Sequence, residues 1–443
     1  MADTDTRLGN RILIGLAIGA LAALAVHLLA APFPWLLSGA TRLASGVLEP
    51  AGQIFLRMLF FVVLPLVFCS LASGVLQLGD VRSLGAMSVR TFSLFALNMA
   101  VGTMLGLLMM NLLEPGQALT AAMRSQLIQD YGGAAQTAIR TQAQSPDMSL
   151  SLVVDMFLPR NLFAAFIGND RRTLGDVLPL IVFAILVGIA GTQLPAPRRA
   201  LLRDALETGV QLMTGIVHMA LRLAPYAVPA LIFSVVVRVG PQLLVALGLF
   251  VVGCITVMLL HLFGVMSLWL RFWARTSPRQ FFRQIRTVLI TAFTTSSSNA
   301  TLPTALAAAQ QLGIRPQIAG FVLPLGTTMN MSGTALYEGC VVLFVAQVFD
   351  VHLNLPSQLT LLLLAVLSAV AVAGIPGGSL PLIAGLLISF GIPPEGIGII
   401  LGIDRLLDMT RTMVNVGCDM VTCKLVDQMT PDQPTRASAP ARS

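Results

Sequence analysis

Apolar residues run through this chain in long unbroken blocks. Ile12 to Pro32 is one and Leu243 to Leu270 another. Each reaches the roughly 20 residues of helix that cross a bilayer. A segment alone in hydrocarbon must satisfy its own backbone, so these blocks predict helices and not sheet edges. Spans are predicted at about 12–32, 48–78, 85–113, 150–195, 200–237 and 241–274. The fourth is broken, at FLPRNLF, where Pro159 disfavours helix, and again near GNDRRTLGD. Residues 114–149 are polar and rich in Gln, Ala, Thr and Gly, which predicts a long, mobile external loop.

Beyond residue 275 the texture changes. Apolar stretches are interrupted by TTSSSNATLP (294–303), PLGTTMNMSGT (324–334) and AGIPGGSLP (373–381). Ser, Thr, Gly and Pro at membrane depth suit a hairpin that dips in and returns, or a helix that unwinds, where protein or a cavity surrounds it. A shift of 78 residues aligns this region with itself. It places Leu302-Pro303 on Leu380-Pro381, Gly313-Ile314 on Gly391-Ile392, and NMSGT (330–334) on DMTRT (408–412). The C-terminal part therefore reads as two copies of one unit, a re-entrant hairpin followed by a polar-centred helix. Secondary transporters are built from such repeats.

Composition supports the membrane reading. Charged residues make up 11% of the chain and hydrophobic ones 56%, where a soluble domain carries roughly a quarter charged residues. Residues 1–11 are polar and the next apolar run is too long for a signal h-region, so no cleavable signal peptide is expected. Arginines cluster at 198, 199 and 203, and at 271, 275, 279, 283 and 286. That is the positive-inside pattern, not a nucleic-acid site, and it places both loops in the cytoplasm. Cys69, Cys254, Cys340, Cys418 and Cys423 lack metal-ligand spacing and read as small core residues. His27, His218, His261 and His352 are scattered and read as interfacial or packing residues. Trp35, Trp269 and Trp273 read as interface anchors.

One stretch breaks the economy of charge. DRLLDMTRTMVNVGCD (404–419) holds three aspartates, two arginines and an asparagine. On a helix, Asp404, Asp408, Arg411, Thr412, Asn415 and Asp419 share one face within an arc of roughly 100°. An internal salt bridge between Asp408 and Arg411 is the bland reading. Intramembrane charge more often marks a substrate or ion pathway, and the stripe holds more carboxylates than one arginine needs. Arg411 offers a planar fork to a carboxylate, Asp408 can accept from an ammonium, and Asn415 and Asp419 supply oxygens for a small cation.

These motifs, with SSSNATLP, VLPLGTTMNMSGTALYE and GIPGG in order, resemble the dicarboxylate/amino acid:cation symporter family, the glutamate transporters. The resemblance runs from the second span to about residue 428. It implies an all-α polytopic membrane protein with eight transmembrane helices and two re-entrant helical hairpins. The implied architecture is the elevator fold with inverted repeats, assembled as a homotrimer in the plasma (inner) membrane with both termini cytoplasmic. A scaffold would comprise residues 1–84 and 150–237. The transport part would comprise 85–113 and 238–428, with an external loop at 114–149 and a disordered cytoplasmic tail at 429–443. The implied activity is import of an acidic amino acid, glutamate or aspartate, coupled to sodium and/or protons, with no enzyme activity, cofactor or nucleic-acid partner.

By the same resemblance, Arg411 binds the substrate side-chain carboxylate and Asp408 its amino group. Thr412, Asn415, Ser297, Ser298, Thr334, Gly374 and Gly377 complete the substrate site, the last two in an outer gating hairpin. Gly326, Thr328, Asn330, Asn415 and Asp419 are the implied sodium ligands and Glu338 the proton carrier. The family's Asn-Met-Asp-Gly-Thr is here NMSGT, with Ser332 for the aspartate, and Asn98 and Met99 stand where Thr-Ser is usual. Both changes weaken a deep sodium site, since a thioether is a poor sodium ligand. Arg405 is the candidate partner if Glu338 is permanently ion-paired. Dicarboxylate-carrying relatives lack an aspartate at the position of Asp408, which favours an amino acid. The alternatives are a C4-dicarboxylate or neutral amino acid symporter of the same fold, or an anion channel lined by Arg405 and Arg411. An intramembrane hydrolase using Ser296 to Ser298 with Asp404 or Asp408 is disfavoured, since no histidine flanks the serines.

Overall fold

The computed structural model describes residues 2–81, 86–131, 161–162, 177–372 and 379–430, which are helical with short connections and contain no strand. The first predicted span is α1 (Ala2–Ala30). The second is α2 (Pro34–Leu43), a π-helical turn, α3 (Glu49–Phe61) and α4 (Val63–Val81); the third is α5 (Ala86–Leu113). The predicted loop after it is ordered in its first part, where Ala121–Tyr131 form α6. Tertiary anchors explain the departure. Leu119 and Leu127 are buried, the Gly116 N–H donates to Gln347 Oε1 at 3.2 Å, and Arg124 pairs with Asp350 at 3.0 Å. Apart from Asn161 and Leu162, the predicted breaks in the fourth span lie outside the described residues.

The fourth span ends as α7 (Val177–Thr192). The fifth is bent by 60° between α8 (Ala196–Leu221) and α9 (Ala224–Val239). Pro225 opens α9 and has no N–H to continue the ladder of α8. The sixth joins α10 (Gln242–Leu259), a π-helical segment over Leu260–Val265, and α11 (Met266–Phe272). Among the described residues, Pro34–Leu76, Met87–Ala118, Gln242–Phe272 and Pro316–Val348 are long and apolar enough to cross a membrane, with the bent pair as a fifth.

The remaining helices form the interrupted region. α12 (Pro278–Gln284) leads into α13 (Arg286–Thr295), which turns back at Ser296 into α14 (Ser298–Gln311). α15 (Pro316–Met329) and α16 (Ser332–Val348) are parted at Asn330 and Met331. Then come α17 (Leu355–Ala371), α18 (Leu380–Ser389) and the 33-residue α19 (Ile397–Met429).

The internal repeat is visible in the backbone. Gly313 (φ 69°) and Gly391 (φ 68°), one repeat apart, end the second helix of each hairpin in the left-handed region. In one copy the Ile314 N–H reaches Ala309 O at 3.0 Å; in the other Ile392 N–H reaches Leu387 O at 2.9 Å. This is the glycine-terminated helix end that closes orphan carbonyls. The copies then diverge, because the break at Asn330–Met331 corresponds to an unbroken turn of α19 at Asp408–Met409. No heavy atom lies within 4 Å of a Cβ added at Gly313, so Gly313→Ala should cost only the backbone strain of a side chain in the left-handed region, about 1–2 kcal/mol. The expected result is a lower thermal unfolding midpoint in detergent with the maximal transport rate retained.

Packing places the polar residues centrally. Every residue of α16 except Gln347 is buried, with α5, α17 and α19 against it. A helix without an outward face needs no polar stripe. Elsewhere α1 lies along α9, α9 on α3, and α4 on α7 and α8. Large apolar side chains stay exposed on outer faces, including Ile18 and Leu21 of α1, Leu108 and Leu112 of α5, and Val252 of α10, as lipid-facing surfaces require.

Candidate functional site

The stripe on α19 forms as the periodicity predicts, and its members are buried: Asp404, Asp408, Arg411, Thr412, Asn415 and Asp419 are each at most 6% exposed. Arg411 is the hub. Its guanidinium donates to Asp408 Oδ1 and to the Ser379 hydroxyl at the start of α18, and lies 4.9 Å from the centroid of the Tyr337 ring on α16. Tyr337 in turn donates its hydroxyl to Asp404 Oδ1 at 2.9 Å. Arg405 approaches the other oxygen of Asp408 at 3.6 Å. One carboxylate thus stands between two guanidinium groups, each of them a strong bidentate partner for carboxylates.

Asn415 does a different job. Its Oδ1 accepts from the Gly333 N–H at 2.7 Å and the Thr334 N–H at 3.2 Å, and its Nδ2 donates to Thr334 Oγ1 at 3.2 Å. These N–H groups lie in the first turn of α16, where a helix has no intrahelical acceptors. A side chain of α19 therefore caps α16 across the break. The approach is tight, since a Cβ at Gly333 would fall 2.6 Å from Arg411 O. Gly333→Ala is expected to force α16 and α19 apart, lowering the thermal midpoint by several degrees and abolishing uptake. Uptake at wild-type level would show that the contact is dispensable.

One turn further along, Asp419 Oδ1 accepts from Asn330 Nδ2 at 2.8 Å. Asn330 Oδ1 accepts from Asn98 Nδ2 of α5 at 3.0 Å, and Asn98 Oδ1 faces His261 Nε2 at 2.9 Å. All four residues are buried. Gly326 brings α15 against the same carboxylate, for a Cβ there would meet Asp419 Oδ1 at 2.5 Å. The site thus gathers Gly326, Asn330 and Asp419, three of the five residues expected to hold sodium. Asn415 is turned to the α16 N-terminus, and the Thr328 hydroxyl donates to Leu325 O at 3.0 Å in its own helix. Hard oxygens suited to a small cation are present, on the carboxylate and the asparagine amide.

Glu338 is fully buried on α16. Its Oε2 accepts from the Ser368 hydroxyl of α17 at 2.8 Å, and Oε1 has no hydrogen-bond partner among the described residues. Arg405, the candidate ion-pair partner from the sequence, is turned to Asp408 instead. Among the described residues, Glu338 makes no ion pair.

Residues 8–429 match the sodium:dicarboxylate symporter family. The chain belongs to that family. It is 29% identical over 370 residues to a proton/sodium-glutamate symport protein of Bacillus caldotenax, with 83% of this chain and 84% of the relative covered. A proton/glutamate-aspartate symporter of Escherichia coli (strain K12) is 28% identical over 417 residues, covering 94% and 91%. A C4-dicarboxylate transport protein of Pseudomonas fluorescens (strain Pf0-1) is 27% identical over 376 residues, covering 83% and 80%.

Within this member of the symporter family, the remaining expected site residues fall as follows. Ser297 caps α14, accepting from the Ala300 N–H at 3.2 Å, and Ser298 is buried in the first turn of α14; α13 and α14 pack on α19. Thr412 donates to Asp408 O at 2.9 Å. Gly374 and Gly377 lie outside the described residues. Some participants were not singled out from the sequence: Tyr337 and Ser379 lie inside quoted motifs without a role assigned to them, and Ser368 lies in an apolar stretch. His261 read as a packing or interfacial histidine, yet it is fully buried and hydrogen-bonded to Asn98. The available signal was its position inside the otherwise apolar run Leu243 to Leu270.

Proposed function

We propose that this symporter-family protein is a secondary active importer of glutamate or aspartate, driven by sodium and/or proton gradients. The observation that carries the reading is the buried Arg411–Asp408 pair, tied by Arg411 to Ser379. An acidic amino acid entering the site offers Arg411 a carboxylate in place of Asp408. The released Asp408 then takes the substrate's ammonium. Both buried charges stay paired throughout, which avoids the large cost of leaving one uncompensated. A neutral amino acid would leave Arg411 without its carboxylate, and a plain dicarboxylate would leave Asp408 without its ammonium. The glutamate and glutamate-aspartate symporters that the chain resembles support this choice.

Gly326, Asn330, Asn415, Asp419 and Thr328 are the proposed sodium ligands, and Glu338 the proposed proton carrier. Thr412, Thr334, Ser297, Ser298, Gly374 and Gly377 are proposed to complete the substrate pocket. The wider architecture is also a proposal. It has eight spans and two hairpins, with a scaffold from 1–84 and 150–237 and a moving unit from 85–113 and 238–428. The unit slides as an elevator within a homotrimer in the inner membrane, with both termini cytoplasmic. The packing of α1, α3 and α9, and of α4 on α7 and α8, supports such a scaffold. The test is uptake of labelled aspartate and glutamate into proteoliposomes under separate sodium and pH gradients. Accumulation against a gradient is expected. Absence of uptake under every gradient would overturn the assignment.

A further inference from the structure

Between Glu207 and Glu338 the chain has no acidic residue. Within that stretch Arg271, Arg275, Arg279, Arg283 and Arg286 fall inside sixteen residues, at the end of the sixth span. Orientation during membrane insertion needs only that such charges be present. The structure goes further and displays them on an ordered surface. All five residues are exposed, and among the described residues none of them pairs with a carboxylate. The other arginine cluster differs, since Arg203 of α8 lies 4.0 Å from Asp204.

The surface is held from its inner side by apolar contacts. Phe281 and Ile285 are fully buried, and the Phe282 ring meets that of Phe263 in the sixth span at 5.0 Å. Arg279 and Arg283, four residues apart on α12, take the opposite face. Before α12 the chain folds back over the end of α11. The Thr276 N–H donates to Leu270 O at 3.0 Å, and Arg275 adopts the left-handed region at φ 48°. Glycine adopts that conformation at less cost, yet an arginine stands there. Beside the arginines Leu268, Phe272 and Trp273 are exposed, with the Trp273 ring 5.0 Å from that of Trp269. The segment thus joins guanidinium groups that lack ion pairs to apolar and indole surface of the kind that sits at headgroup level.

We infer that residues 268–286 bind anionic phospholipid, with headgroup phosphates on the arginines and acyl chains along Leu268 and Phe272. Charge complementarity decides the occupant. A guanidinium matches a phosphate with two parallel hydrogen bonds, and clustered basic residues beside a transmembrane helix attract anionic lipid. A zwitterionic headgroup offers the same phosphate with its charge already cancelled. The surface lies within the proposed moving unit, but the inference stands without that reading.

Two of the chain's three tryptophans, Trp269 and Trp273, report on this patch. The test places the full-length Trp35→Phe carrier in phosphatidylcholine vesicles that contain, at equal mole fraction, either brominated phosphatidylglycerol or brominated phosphatidylcholine. The readout is quenching of tryptophan fluorescence. Stronger quenching by the anionic lipid at low salt is expected. In molar salt, where the screening length falls to about 3 Å, the preference should collapse; this arm needs no substitution in the patch. Arg279→Gln with Arg283→Gln should lower the relative binding constant of the anionic lipid roughly fivefold for each arginine removed. Arg198→Gln with Arg199→Gln removes the same charge elsewhere and should leave the preference unchanged. Equal quenching by both lipids at low salt overturns the inference, as does a preference that survives molar salt or the α12 substitutions. An equal loss in the α8 pair would make the effect one of net charge and overturn it too.

Discussion

Arg411→Ala is expected to cut the affinity for glutamate and aspartate by roughly a hundredfold or more. Truncating one partner of a buried, hydrogen-bonded charge pair costs about 2–5 kcal/mol, and each 1.4 kcal/mol is about a factor of ten. The loss should be selective. Asp408 keeps Arg405 at 3.6 Å and remains available for an ammonium, so serine or alanine should still be carried. Asp408→Ala reverses the pattern, leaving Arg411 to hold a carboxylate without an ammonium ligand beside it. Succinate should then compete better than aspartate. The measurement is uptake of labelled aspartate, serine and succinate by wild type and both variants. Equal loss of all three substrates in both variants would make the pair a structural bridge and not a binding site.

Glu338→Gln should abolish proton-driven accumulation and preserve exchange. Glutamine keeps the shape of the side chain and an oxygen for the Ser368 hydroxyl, which lies 2.8 Å from Glu338. It cannot take up and release a proton. Wild-type vesicles with an acidic exterior should accumulate substrate with no sodium gradient present. Vesicles carrying the glutamine variant should not, yet should still swap internal for external labelled aspartate. Proton-driven accumulation by the variant would assign Glu338 a packing role. Ser368→Ala provides a second reading, since it removes the Ser368 hydrogen bond to Glu338 and leaves the carboxyl able to exchange its proton. The proton-driven component should survive that change with an altered pH dependence.

How much of this was legible in the chain differs from element to element. The long apolar blocks located α1, α5, α10 and the bent α8–α9 pair, because a lipid-facing helix has little else to write in sequence. The repeat was legible down to single turns. Gly313 and Gly391 align in sequence and both adopt φ near 70°, since a helix end in the left-handed region favours the residue without a Cβ. The loop after α5 was misjudged over Ala121–Tyr131, where a polar composition hid buried Leu127 and the ion pair between Arg124 and Asp350.

The sequence by itself determined which residues share a face. Helical periodicity put Asp404, Asp408, Arg411, Asn415 and Asp419 on one side of α19, and their rarity in so apolar a chain marked them as candidate site residues. The tertiary structure alone decided what each of them faces. Asp408 stands between Arg411 and Arg405, while Glu338 accepts from Ser368 and, among the described residues, forms no ion pair with an arginine. Asn415 caps a helix that begins 83 residues before it in the chain, and His261 reaches Asn98 across 163 residues and, through Asn98 and Asn330, Asp419. The physical reason is that a buried polar group must be satisfied by whichever helix packs against it. Periodicity describes one helix at a time, and the choice of neighbour belongs to the packing of all of them.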